Sequence, residues 1–138
     1  MKNQIQKYIT SCMVIILLFS CSGKKNQLLG AWSLESNFYR ATYEIVEDDG
    51  KIKAKVLYYN DDTTAYQYDG QTPQYLFSDL KEKENRYIDA VSGATNTETN
   101  YPNIKVISQD SLEVTTYLVN KPLKEIWIRK INNKKIYE

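Results

Sequence analysis

Two kinds of hydrophobic pattern divide the chain. The first is an unbroken apolar run from Met13 to Phe19, preceded by Lys2 and Lys7. Crossing the hydrocarbon core of a bilayer takes about 20 apolar residues. A shorter run behind a basic start predicts a signal peptide over 1–20. The second pattern begins at Leu28 and has a period of two. Tyr39, Ala41, Tyr43 and Ile45 alternate with Arg40, Thr42 and Glu44. Beyond Asp48-Asp49-Gly50, Ile52, Ala54, Val56 and Tyr58 alternate with Lys51, Lys53 and Lys55. Asp-Gly suits a tight hairpin because glycine tolerates positive φ, so these two runs predict paired strands.

Turn signals cut the rest into short pieces. Asn60-Asp61-Asp62 turns the chain, 64–68 is a short strand, and Asp69-Gly70 and Pro73 end it. Residues 75–80 read as a strand or one helical turn, 81–85 as a charged turn, and 87–91 as a strand stopped at Ser92-Gly93. Segments 104–108 and 112–119 form a second hairpin across Gln109-Asp110-Ser111, and 126–131 is the last strand. No run has the period and length of an amphipathic helix, which argues against crossover helices and a parallel sheet. A meander of this kind must hide its edges, and closure hides them. The expected fold is all-β, a small antiparallel up-and-down barrel of about eight strands. It occupies 28–131 as one domain, between a polar tether at 21–27 and a polar tail at 132–138.

Composition narrows the chemistry. The 138 residues include 12 tyrosines but only 5 glycines and 3 prolines, in keeping with a pleated, half-buried surface. The net charge of +1 gives no field to draw the chain to nucleic acid. Histidine is absent, which removes the commonest general base and metal ligand. The only cysteines are Cys12 and Cys21, so the domain has no disulfide and no thiol nucleophile. Asp48-Asp49 and Asp61-Asp62 lack the spacing of a calcium loop. No enzyme activity and no metal are expected.

Leu18-Phe19-Ser20-Cys21 resembles the bacterial lipobox: an aliphatic residue, a small one, then cysteine. The resemblance implies lipid transfer to the Cys21 thiol, cleavage after Ser20 and acylation of the new amine. Several acyl chains make a durable anchor, at about 0.8 kcal/mol per buried methylene. Ser22 follows where an acidic residue would signal the inner membrane, so the implied location is the outer membrane, facing the periplasm.

Leu29-Gly30-Ala31-Trp32 and Ile126-Trp127-Ile128-Arg129 resemble the two ends of lipocalin-like (calycin) barrels. That family places a first-strand tryptophan at the closed end with a late arginine packed across it. The matching residues are Trp32 and Arg129, the implied barrel-closing pair. Such barrels bind small apolar or amphipathic ligands in the mouth, and the tyrosines at 58, 59, 66, 68, 75, 87 and 101 are candidates for a pocket or for ordinary sheet packing.

A third resemblance is local. Asp89-Ala90-Val91-Ser92-Gly93-Ala94-Thr95 matches the signature of proteins that carry covalent flavin mononucleotide. There a transferase joins the flavin phosphate to the threonine hydroxyl outside the cytoplasmic membrane. The implied cofactor-binding residues are Asp89, Ser92, Gly93, Ala94 and Thr95. The competing reading is a β-turn at Ser92-Gly93 with an unmodified Thr95. Two functions follow: a non-catalytic anchored barrel that binds a small ligand or an envelope partner without a cofactor, or a periplasmic redox module bearing flavin on Thr95.

Overall fold

The computed structural model describes residues 23–89, 101–118 and 121–131. Its order is α1 (Gly23–Leu28), β1 (Gly30–Glu35), β2 (Arg40–Asp48), β3 (Lys51–Asn60), β4 (Ala65–Gln67), β5 (Gln74–Lys83), β6 (Arg86–Asp89), β7 (Asn103–Ser108), β8 (Ser111–Leu118) and β9 (Lys121–Arg129). All pairings are antiparallel. Each strand pairs with the next along the chain except at β4, where β3 pairs with β5 directly and the short β4 adds to the end of β3. The β1–β9 pairing, through Trp32 opposite Arg129 and Ser33 opposite Ile128, closes the cylinder. The fold is therefore all-β, a closed eight-stranded up-and-down barrel, compatible with the lipocalin-like architecture.

Strand alternation sets the interior. Trp32, Leu34, Tyr43, Ile45, Ala54, Phe77, Leu80, Tyr87, Ile104, Leu112, Val114 and Trp127 are buried. At mid-height the Tyr43 and Trp127 rings stack, with centroids 4.1 Å apart and planes 8° apart, and Phe77 tilts against Trp127 at 6.3 Å. The first hairpin turns through Asp49 and Gly50, both at positive φ (51° and 71°), the type I′ geometry that matches strand twist. This turn, Glu84-Asn85 and Gln109-Asp110 gather at one end of the barrel, together with α1. The residues between β1 and β2 and between β3 and β4 lie at the other end, the mouth.

Several elements differ in extent from the sequence expectation. The polar segment read as a tether forms α1 over Gly23–Leu28, because Leu28 at its end is fully buried and fastens it to the core. β5 is a strand throughout and runs to Lys83, so only Glu84-Asn85 remain as the turn. β9 begins five residues before Ile126, since backbone pairing with β8 continues from Ile128 opposite Ser111 to Lys121 opposite Leu118. The segment read as a signal peptide, Cys21, residues 91 and 119 and the tail from 132 lie outside the described residues.

Candidate functional site

The two ends of the barrel are built from different chemistry. At the turn-bearing end, the Arg129 guanidinium lies 4.2 Å from the Trp32 ring centroid, a cation–π contact. Arg129 donates from Nη1 to the Leu29 carbonyl at 2.9 Å, from Nη2 to the Gln27 carbonyl and from Nε to the Gln109 carbonyl at 2.6 Å. Trp32 Nε1 donates to the Leu28 carbonyl at 2.9 Å. The last carbonyls of a helix have no partner within it. Here the tryptophan and arginine supply those partners, which holds α1 across the end of the barrel as a plug. Gly30 makes room for this arrangement. Its φ is +125°, and a Cβ there would stand 2.8 Å from Arg129 Nη1. The Gly-x-Trp spacing thus has a local cause: the glycine is the gap through which the arginine reaches the helix.

Beside the plug lies a groove of about 490 Å³, lined by Lys24 and Gln27 of α1, Glu82, Asn85, Val106 and Ile107 among others. Tyr87 also borders it. Its hydroxyl is buried without a hydrogen-bond partner among the described residues, and burial, followed by the nearby charge of Glu82, raises its pKa.

Toward the mouth, the inward positions of β9 continue from Arg129 through Trp127 to Glu125. Across the barrel, Tyr39 donates its hydroxyl hydrogen to Glu125 Oε1. Burial first, and then this carboxylate, push the Tyr39 pKa far above the ordinary tyrosine value. Tyr43 beneath it is raised for the same leading reason, burial. The Tyr39 and Tyr59 rings meet at 5.3 Å, and Tyr59 donates to Asp61 Oδ2 at 3.0 Å. Asp61 also accepts from the Thr63 hydroxyl and from the Thr63 and Thr64 amides, and these bonds, led by the Thr63 hydroxyl, hold its pKa down to about 2. At the floor, Trp127 Nε1 is buried with no acceptor among the described residues. The end toward the mouth therefore gathers three phenols and two carboxylates over an aromatic floor whose buried indole N–H has no acceptor among the described residues.

The structure brings Trp32 and Arg129 together and places Asp89 inside the barrel. Asp89 is fully buried at the end of β6, and its Oδ2 accepts the Ser78 amide at 2.6 Å. Ser92, Gly93, Ala94 and Thr95, like Cys21, lie outside the described residues. Of the tyrosines singled out from sequence, Tyr59 joins the mouth and Tyr87 the groove. Tyr75 and Tyr68 lie instead under Lys53 and Lys55, at 5.4 and 4.9 Å from ammonium to ring centroid.

Sequence reasoning missed Tyr39, Tyr43, Glu125 and Trp127 as site residues. The alternation 39-41-43-45 marked the tyrosines as one face, whereas Glu125 fell before the expected start of β9. No group of three or more His, Cys, Asp or Glu side chains among the described residues is placed to hold a metal. No described helix is long and apolar enough to cross a membrane. Compared with family models, curated proteins and solved structures, the chain matches none, so its assignment as a closed antiparallel barrel rests on its own topology.

Proposed function

We propose that the chain is an exported, lipid-anchored, non-catalytic protein of the bacterial envelope, a lipocalin-like barrel that takes a small amphipathic ligand at its mouth. The observation that carries this reading is the contrast between a hydrogen-bonded plug at one end and, at the other, an aromatic floor bearing an indole N–H with no acceptor among the described residues. Buried polar groups are almost always paired, so a buried donor with no acceptor among the described residues, on a ring stacked against Tyr43, suits a ligand that offers an acceptor and an apolar body. The lipobox resemblance at Cys21 supports the anchoring. An envelope partner in place of a small ligand would use the same end.

Titration with the amphiphilic fluorophore 1-anilinonaphthalene-8-sulfonate tests the ligand site. Saturable enhancement is expected, competed by fatty acids and weakened by Tyr59→Ala and Glu125→Gln, each with an unchanged circular-dichroism spectrum. Enhancement that neither variant alters places binding elsewhere. Intact mass of the native protein tests the anchor and the second function together. Covalent flavin on Thr95 is supported by the seven-residue match, and its flavin mass, colour and loss in Thr95→Ala would establish it. The position of Asp89 favours the first reading, because a modification signature is read from outside and this carboxylate is engaged within the barrel wall.

A further inference from the structure

The anchor and the plug meet at the same end of the molecule. Cys21 stands two positions before Gly23, the first residue of α1. A chain extends at most about 3.6 Å per residue, so the lipid-bearing cysteine is held within about 7 Å of the helix whatever the intervening conformation. The barrel is much longer than that. Strands of nine or ten residues, rising about 3.3 Å per residue and tilted by about 40°, give a height of about 20–25 Å.

The plugged end also carries apolar side chains in solvent. Ile107 at the end of β7, Ile128 at the end of β9 and Ile131 just beyond are 53, 50 and 82% exposed. They lie on the β7–β9 side, where the groove beside α1 is walled by Val106 and Ile107. On the opposite rim, the β2–β3 turn and its flanks are Asp48, Asp49, Gly50 and Lys51. The exposed isoleucines of this end are thus confined to its β7–β9 side, where they stand among mixed charges. Phe38 and Leu118 are exposed at the mouth as well, at 83 and 64%, but a short anchor keeps them away from the bilayer.

We infer that the plugged end is a bilayer-facing surface: Ile107, Ile128 and Ile131 dip into the lipid headgroup region, and the mouth points away from the membrane. The inference rests on the reading of Cys21 as the lipid anchor. The occupant is the lipid surface itself, because the tether length brings that surface to this end. Mixed charges nearby, Lys24 and Lys105 with Glu82 and Asp110, make the contact apolar rather than dependent on anionic lipid.

The test uses the mature lipidated protein in phosphatidylethanolamine–phosphatidylglycerol vesicles. The domain has no cysteine of its own beyond Cys21, so a polarity-sensitive fluorophore can be placed singly at Ile107→Cys, Ile128→Cys, Phe38→Cys or Leu118→Cys. All four sites are apolar and exposed, which makes them matched probes. Labels at 107 and 128 are expected to shift to the blue and lose most of their emission to lipids carrying a spin label near the headgroup. Labels at 38 and 118 are expected to do neither. Quenching at the mouth sites, equal quenching at all four or none at any would overturn the orientation while the mass still reports lipid on Cys21. A mass without lipid removes the anchor, and with it this surface, so the two failures have different signatures.

Discussion

Trp32 and Trp127 are both fully buried, on strands that neighbour one another, yet they sit in opposite hydrogen-bonding environments. Trp32 donates to Leu28, lies under a guanidinium and belongs to a cluster in which Arg129 donates to three backbone carbonyls. Trp127 stacks on Tyr43, and its N–H meets no acceptor among the described residues. A cluster with its polar atoms satisfied locks one arrangement, whereas one with a spare donor keeps the capacity to bind. The comparison separates a tryptophan whose hydrogen bonds hold the fold from one whose donor is left available among the described residues.

The largest expected effects come from removing either indole. Trp32→Ala and Trp127→Ala should each cost about 3–5 kcal/mol, the range for truncating a large buried aromatic. Urea unfolding measures both. Trp32→Ala should also release α1, seen as faster amide exchange over residues 24–29. Trp127→Ala should leave that helix protected. Equal exchange in both variants would break the distinction between the ends.

Next in size is the coupling through Gly30. Arg129→Ala should cost about 1–3 kcal/mol, losing a cation–π partner and its hydrogen bonds to two part-buried carbonyls and one exposed one. Gly30→Ala should cost a similar amount, about 1–3 kcal/mol, because it strains a positive φ and displaces the guanidinium. The double variant should lose less than the sum, since the arginine is already gone when the methyl arrives. Strict additivity in a double-mutant cycle would show that the glycine serves its own backbone alone.

Much of this architecture was legible in the chain, and the reasons are local. The β2–β3 hairpin could be read directly, because one face is apolar, the other carries lysines, and Asp49-Gly50 fixes the turn. The Trp32–Arg129 pairing was legible only through a resemblance, since nothing in the spacing of two residues 97 positions apart brings them together. β9 resisted reading because both faces carry bulky apolar groups at Ile126-Trp127-Ile128, so alternation gives no phase. The structure turns Trp127 inward and leaves Ile126 and Ile128 half exposed. That hid Glu125, an inward carboxylate in a strand whose polar residues would be expected to face water. The helical turn of α1 was hidden as well. Six residues are too few to show a period, and the fold holds them through Trp32 and through an arginine about 100 residues away.

A smaller change sharpens the same contrast. Trp→Phe keeps most of the ring and deletes the N–H. Trp32→Phe leaves the Leu28 carbonyl without its donor, an added cost of about 1 kcal/mol. Trp127→Phe removes a donor that had no acceptor, so the added cost is absent and the lost ring area alone counts. The difference between the two midpoints in urea measures the hydrogen bond. Two equal losses would mean that Trp127 Nε1 has an acceptor, and the mouth would lose its spare donor.

The smallest effect is a pH dependence at the mouth. Asp61 is held as a carboxylate by the Thr63 hydroxyl, the Thr64 amide and the Tyr59 hydroxyl, with a pKa of about 2 against an ordinary 3.8. A folded-state pKa below the unfolded value means that the fold favours the charged form. The contribution is therefore complete above pH 3.8 or so and fades as pH falls through the folded value near 2. Asp61→Asn keeps the shape and one acceptor but loses the charge. Its thermal midpoint should fall slightly below that of the parent at pH 7, and the gap should narrow between pH 3.8 and 2 as the parent's carboxylate takes up its proton. Because Tyr59 hangs from this carboxylate and packs on Tyr39, the same narrowing should appear in the near-ultraviolet dichroism of the tyrosines. A gap that stays constant down to pH 2, or widens, would mean that the turn is held by its shape and that the charge of Asp61 plays no part in orienting the phenols of the mouth.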